Sequence, residues 1–211
     1  MYGSLFVIDK IILTSQKFYS QDTAKVASQL LGKILVRKFN GNVLLGKIVE
    51  TEAYYGLKDP SSRAFTTPRM AQAMWNEGGT TFVYMVHNHW LLNVVTGSKG
   101  IPSAVLIRAL EPLNNLELLK DHRKIEIKSE KEIVNLTNGP GKLTKAFQIT
   151  KAQHGIDITK NNELFIAQGK KENFSVGSSH RIGVSKDLKR KLRFFIKGNR
   201  FVSRKFMYDE C

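Results

Sequence analysis

One cysteine, Cys211, in 211 residues leaves no material for an intrachain disulfide framework or a Cys-based zinc finger. No apolar run approaches the length of a membrane span. Internal repeats, low-complexity stretches and Pro/Gly/Ser linkers are also missing, which argues for a single domain over residues 20–211 after an N-terminal arm, 1–19. In that arm the apolar stretch from Ser4 to Ile8 is short and has no basic lead. It does not read as a secretory signal, so the expected location is intracellular: the cytoplasm or nucleoid, if the source is prokaryotic. Acidic residues are scarce: 18 Asp+Glu face 33 Lys+Arg, a net charge of +15.

An excess of that size calls for a partner with matching negative charge, and nucleic acid comes first. The basic residues are spread along the chain, with a denser tail at Lys186, Lys189, Arg190, Lys191, Arg193, Lys197, Arg200, Arg204 and Lys205. No long basic amphipathic helix carries them, which disfavours a membrane surface. A merely solubilising surface is the bland alternative. The hydrophobic fraction of 42% is ordinary for a globular domain, and the length allows a sizeable core.

Local signals predict helices over 23–31, 68–75, 112–123, 129–136 and 143–149, the first capped by Ser20 or Asp22 and stopped by Gly32. Strands are expected at 33–39 and 43–54, joined by Asn40-Gly41, a two-residue hairpin signal. Further strands are read at 80–86, 89–95, 103–110, 162–168, 174–184 and 192–197, with 58–67 as loop and His87-Asn88 as a tight turn. Hairpins dominate over parallel crossovers. The expected fold class is therefore α+β: one compact domain with a curved, largely antiparallel, open-barrel-like sheet and flanking helices.

Ile48-Val49-Glu50-Thr51-Glu52-Ala53-Tyr54 is the most unusual segment. Side chains alternate on a strand, so Glu50, Glu52 and Tyr54 share a face. A carboxylate beside an aromatic suits general-base work next to a flat ligand, although an edge strand with two solvated glutamates would read the same way. Arg108, inside Ala104-Val105-Leu106-Ile107-Arg108-Ala109-Leu110, needs an anionic partner if buried. That partner is either Glu52, whose ionised form Arg108 would favour against burial, or a structural ion pair. Tyr84 shares a face with Phe82 and Val86 in the next hairpin, and Asn93 on its return strand needs partners if buried. With the basic charge they offer a stacking surface and an amide to inspect a base edge; core and edge positions are the plainer readings. His87-x-His89 lacks a third metal ligand nearby. Glu50 and Glu52 point in parallel rather than flanking a bond, unlike a glycosidase pair.

At these residues the sequence resembles the alkyladenine DNA glycosylase family, also called 3-methyladenine or methylpurine DNA glycosylase. The resemblance runs from about Ser20 to Ser203. Besides the segments above it rests on Leu31-Gly32-Lys33-Ile34-Leu35-Val36-Arg37, Thr67-Pro68-Arg69, Phe82-Val83-Tyr84, Asn93-Val94-Val95-Thr96, Leu110-Glu111-Pro112, Asn138-Gly139-Pro140-Gly141-Lys142-Leu143 and Arg181-Ile182-Gly183-Val184. It implies an enzyme that flips damaged purines from duplex DNA and hydrolyses the N-glycosidic bond, with no metal or organic cofactor; a monomer is expected. Glu52 would activate a water, Arg108 would help hold it, Tyr54 and Tyr84 would sandwich the base, and Asn93 would oppose the 2-amino group of guanine. Lys142 is expected to touch phosphate. Two positions depart from the family. Arg63 stands where a pocket histidine is usual. The step from Tyr84 to Asn93 is one residue short, which leaves His87, first choice, or Asn88 or His89 at the place of an intercalating tyrosine. A catalytically silent nucleic-acid-binding module and a ribosome-associated protein are the alternatives from other classes.

Overall fold

A computed structural model describes residues 14–203. The arm's residues 1–13, and Arg204, Lys205 and Cys211, lie outside the described residues. Two short helices open the described chain, α1 (Gln16–Tyr19) and α2 (Thr23–Gln29). Asp22 starts α2 by accepting from the N–H groups of Ala24 and Lys25, as its capping position predicts. Past the end of α2, Gly32 has φ +80°, where a side chain would be strained.

Strands β1 (Ile34–Phe39) and β2 (Asn42–Tyr55) follow, joined at Asn40 and Gly41, both with positive φ, as a primed hairpin turn requires. The four-residue helix α3 (Arg63–Thr66) interrupts what reads as loop; Ser62 caps it, and one turn is too short to leave a periodic signal. The helix predicted over 68–75 is only a 3₁₀ turn at Gln72–Trp75. Residues 67–71 close turns instead, with Met70 and Ala71 both donating to the Thr67 carbonyl. Strands β3 (Thr81–Val86), β4 (His89–Thr96) and β5 (Ser103–Pro112) complete the central run.

Helix α4 begins at Leu116 rather than 112 (Leu116–Arg123), because β5 continues to Pro112 and Asn114 then bridges Leu45 N and Val43 O across the sheet. Helices α5 (Glu130–Asn135) and α6 (Pro140–Ala146) come next, and α6 starts inside the glycine-proline turn with Pro140 in its first position. Short strands β6 (Leu164–Ala167), β7 (Val176–Ser179) and β8 (Arg193–Ile196) finish the sheet, each shorter than its sequence pattern.

Every pairing is antiparallel, and the eight strands form an open sheet in the order β3-β4-β5-β2-β1-β6, with β8 joining β2 to β7. The long strand β2 organises the rest. One edge pairs with β5. The other is shared: residues 42–47 pair with β1 and residues 50–52 with β8. Where the partner changes, the β2–β5 register slips twice, leaving Val49 unpaired on β2 and Arg108 unpaired on β5. Such bulges redirect side chains, and this one bears on the chemistry below. The main core, including Leu30, Ile48, Ile107, Leu110 and Phe147, lies between the sheet and helices α2, α4 and α6. Tyr19, assigned to the arm by sequence, is fully buried in it.

Candidate active site

Glu50 and Glu52 are both fully buried, which excludes the solvated edge-strand reading. A carboxyl group in that position must be hydrogen-bonded or paired. Glu50 is saturated: Arg193 Nε donates to Oε1 at 2.6 Å, Arg108 Nε at 3.1 Å and Ser203 Oγ at 2.9 Å, while the Ser203 N–H reaches Oε2 at 2.7 Å. Arg193, read as part of a basic surface tail, is fully buried in this pair; its backbone lies across β2, opposite Glu52. Glu50 is thus a structural anchor.

Glu52 has a different shell. The Tyr54 hydroxyl donates to Oε2 at 2.8 Å and the Ile182 N–H to Oε1 at 2.7 Å, and Arg108 Nη1 lies 3.3 Å from Oε1. Arg108 therefore spans both carboxyl groups, from the bulge that swings it between them. The structure joins the two sequence readings of Arg108: it is a structural ion pair to Glu50 and a neighbour of Glu52. Its guanidinium, although disfavoured by burial, is held above its ordinary pKa by the two carboxyl groups. For Glu52 the balance goes the other way. Burial raises its pKa, and Arg108, the Ile182 N–H and Tyr54 only partly offset this, so it titrates above the usual carboxyl range. The opposition expected from Arg108 is present but does not win.

Tyr54 and Tyr84 line one small cavity together with Ser61, Arg63, Met74, Phe82, Asn93 and Ala104. Burial raises both phenols, so both stay protonated. The Tyr84 ring stacks on Phe82, with centroids 4.8 Å apart and planes 24° from parallel. Asn93 is 3% exposed, so it is no edge residue; its amide donates to the Phe82 carbonyl at 3.1 Å. The Arg63 guanidinium sits 5.0 Å from the centre of the Tyr84 ring. Arg181 sits 4.5 Å from that of Tyr54.

Arg181 carries a role that sequence reasoning missed. It makes a two-pronged pair with Asp59, at 2.6 and 2.8 Å with both side chains fully buried, and a second pair with Asp187 at 2.7 Å. It also donates to the Ala53 carbonyl at 3.0 Å. These bonds fasten residues 181–188 to β2 and set the Ile182 N–H against Glu52. The signal is there in part: an arginine inside Arg181-Ile182-Gly183-Val184 and an Asp-Pro turn at residues 59–60. Nothing in the sequence pairs the two across 122 residues.

The β3–β4 turn consists of His87 and Asn88 alone, both at positive φ and both exposed, closed by the Val86–His89 pair. His89 is exposed on β4 against the α6 start: a Cβ on Gly141 would come within 2.7 Å of His89 Cβ. Lys142, expected to reach phosphate, has its ammonium bonded to Asn138 Oδ1 at 2.8 Å and to Asn135 Oδ1. Burial lowers its pKa, with nearby Arg123 adding to the effect. The structure brings Glu52, Arg108, Tyr54, Tyr84, Asn93 and Arg63 together, and sets His87, His89 and Lys142 apart at the hairpin tip and the adjoining turn. Among the described residues no three His, Cys, Asp or Glu side chains form a group able to hold a metal, and no helix is long and apolar enough to cross a membrane.

Residues 17–200 match the pattern of a family described as methylpurine-DNA glycosylase. A Clostridium acetobutylicum protein named "Putative 3-methyladenine DNA glycosylase" is 40% identical over 198 residues, covering 89% of this chain and 96% of that one. Two proteins of the same name, from Borreliella afzelii and Borrelia garinii subsp. bavariensis, are each 40% identical, covering 89% of this chain and 97% and 98% of their own.

Proposed function

The chain belongs to the methylpurine-DNA glycosylase family and is a DNA repair glycosylase, a monofunctional hydrolase of N-glycosyl bonds; from that premise we propose how its residues divide the work. The substrate is duplex DNA bearing a damaged purine, bound inside the cell by a protein acting as a monomer. The purine leaves the stack and enters between Tyr54 and Tyr84. Glu52 removes a proton from a water as it attacks the sugar carbon, where positive charge develops as the base departs. The observation that carries this reading is Glu52 itself: fully buried, yet hydrogen-bonded to a tyrosine of the base pocket at 2.8 Å and beside a cation at 3.3 Å. A silent binding module has no use for so costly a group.

Arg108 holds the carboxyl group in place and steadies the water. Asn93, its amide held by the Phe82 carbonyl, opposes the 2-amino group of normal guanine. His87 fills the gap the base leaves, and Lys142 lies beside the backbone of the duplex. The test is incubation with duplexes carrying hypoxanthine, ethenoadenine or 7-methylguanine, followed by alkali. Strand breakage at the lesion is the expected outcome, and intact strands on all three would refute the reading.

A further inference from the structure

The pocket that Tyr54 and Tyr84 line is almost full. Its free volume is about 10 Å³, barely one water, so no purine enters without something leaving. Most of the lining is fixed: Asn93 by its bond to Phe82, Phe82 and Met74 by burial in a small apolar cluster. Arg63 is different. It is partly exposed, stands at the start of a four-residue helix, and lays its guanidinium on the Tyr84 ring, 5.0 Å from its centre.

The two guanidinium groups that meet the tyrosines are not equivalent. Arg181, on Tyr54, is neutralised by Asp59 and Asp187. Among the described residues Arg63 is the only charged side chain lining the cavity, and it takes part in no carboxylate ion pair. A cation on an aromatic face uses the same π attraction that a cationic base would use. Alkylation at N3 or N7 leaves a purine nucleoside positively charged, whereas deamination to hypoxanthine, or an etheno bridge, leaves it neutral.

We propose that Arg63 is a charged plug that sets lesion choice: it must swing off Tyr84 to admit any base, and once displaced it penalises cationic alkylpurines and hydrogen-bonds the edge of neutral ones. This rests on the glycosylase reading above. Two like charges a few ångströms apart in a site sheltered from water repel strongly, whereas a neutral purine presents acceptor atoms to a donor with no anion to satisfy it. The specificity would then lie towards neutral lesions, away from the alkylated substrate in the relatives' names.

The experiment compares single-turnover excision of hypoxanthine and 7-methylguanine from otherwise identical duplexes by wild type, Arg63→Met and Arg63→Lys. Methionine removes the charge at similar length, and lysine keeps it. Cationic bases leave more readily in any enzyme, so the reading is the change in the rate ratio, not the ratio. The expected result is a shift of at least about tenfold towards 7-methylguanine in Arg63→Met, and a ratio near wild type in Arg63→Lys. Arg63→Gln replaces the methionine variant if that one does not fold. A ratio within about twofold of wild type in the uncharged variant, or an equal shift in the lysine variant, overturns the inference while leaving the glycosylase reading intact. A wild-type protein that neither cuts nor selectively binds either duplex overturns both.

Discussion

The backbone N–H of Ile182 donates to Glu52 Oε1 at 2.7 Å, across 130 residues of chain. That bond exists because Arg181, one residue earlier, is clamped between Asp59 and Asp187. The pocket wall and the proposed base are thus held by one network, and the network is open to mutation at a distance from the reacting atoms.

Asp59→Asn should break the buried pair and lower stability by about 3–5 kcal/mol, read from urea unfolding. The stability loss alone would show only a structural role. The same variant should loosen the Ile182 N–H, one of the groups holding the Glu52 pKa down, and so displace the acid limb of the rate profile upward. An unmoved limb would mean that the loop does not tune Glu52.

Glu52→Gln should bind lesion DNA as wild type does while single-turnover excision falls by ~10²–10⁴. Gel shifts on an ethenoadenine duplex give the binding arm. Unchanged excision would place the base elsewhere.

The pH dependence has two opposite faces. Burial raises the Glu52 pKa, and the proposed general base acts deprotonated, so excision should rise with pH and level off above the ordinary carboxyl range. Stability goes the other way. The folded state binds this proton more tightly than the unfolded chain, so the contribution is complete below the unfolded pKa and is lost as pH rises through the folded one. The stability of wild type relative to Glu52→Gln should therefore decline across that window in urea titrations.

At the hairpin tip, His87 lies about 10 Å along the strand from Tyr84, three residues at the usual rise. If it fills the vacated stack, His87→Ala should reduce the flipped fraction reported by 2-aminopurine beside the lesion. Excision should suffer most in stable base pairs and His87→Tyr should restore it. A loss confined to His89→Ala would move the wedge one step into β4.

Much of this is legible in the sequence itself. The Asn40-Gly41 turn, the Asp22 cap and the alternation that sets Glu50 and Glu52 on one face all follow from local rules, and each holds. What local rules cannot express is the double slip in the β2–β5 register. It leaves Arg108 unpaired and turns one arginine towards two carboxyl groups, an outcome decided by a partner strand and not by the residues around it. The same applies to Arg193, which stands with Lys189 and Lys191 in the dense basic tail of the sequence while its own side chain is wholly buried on Glu50. Arg63 was visible as a departure; that it would occupy the face of Tyr84 required the packing of α3.

Glu50 accepts from Ser203, 153 residues further along the chain, and from Arg193; its neighbour Glu52 waits for Ile182. The proposed catalytic apparatus therefore cannot assemble on a nascent polypeptide that stops short of these positions. During translation the central strands can pair while the two glutamates still lack their cations and amides. The ribosome would release a hydrolase whose chemistry begins only once residue 203 has cleared the exit tunnel, so prematurely terminated products should be inert towards the genome and not partly active.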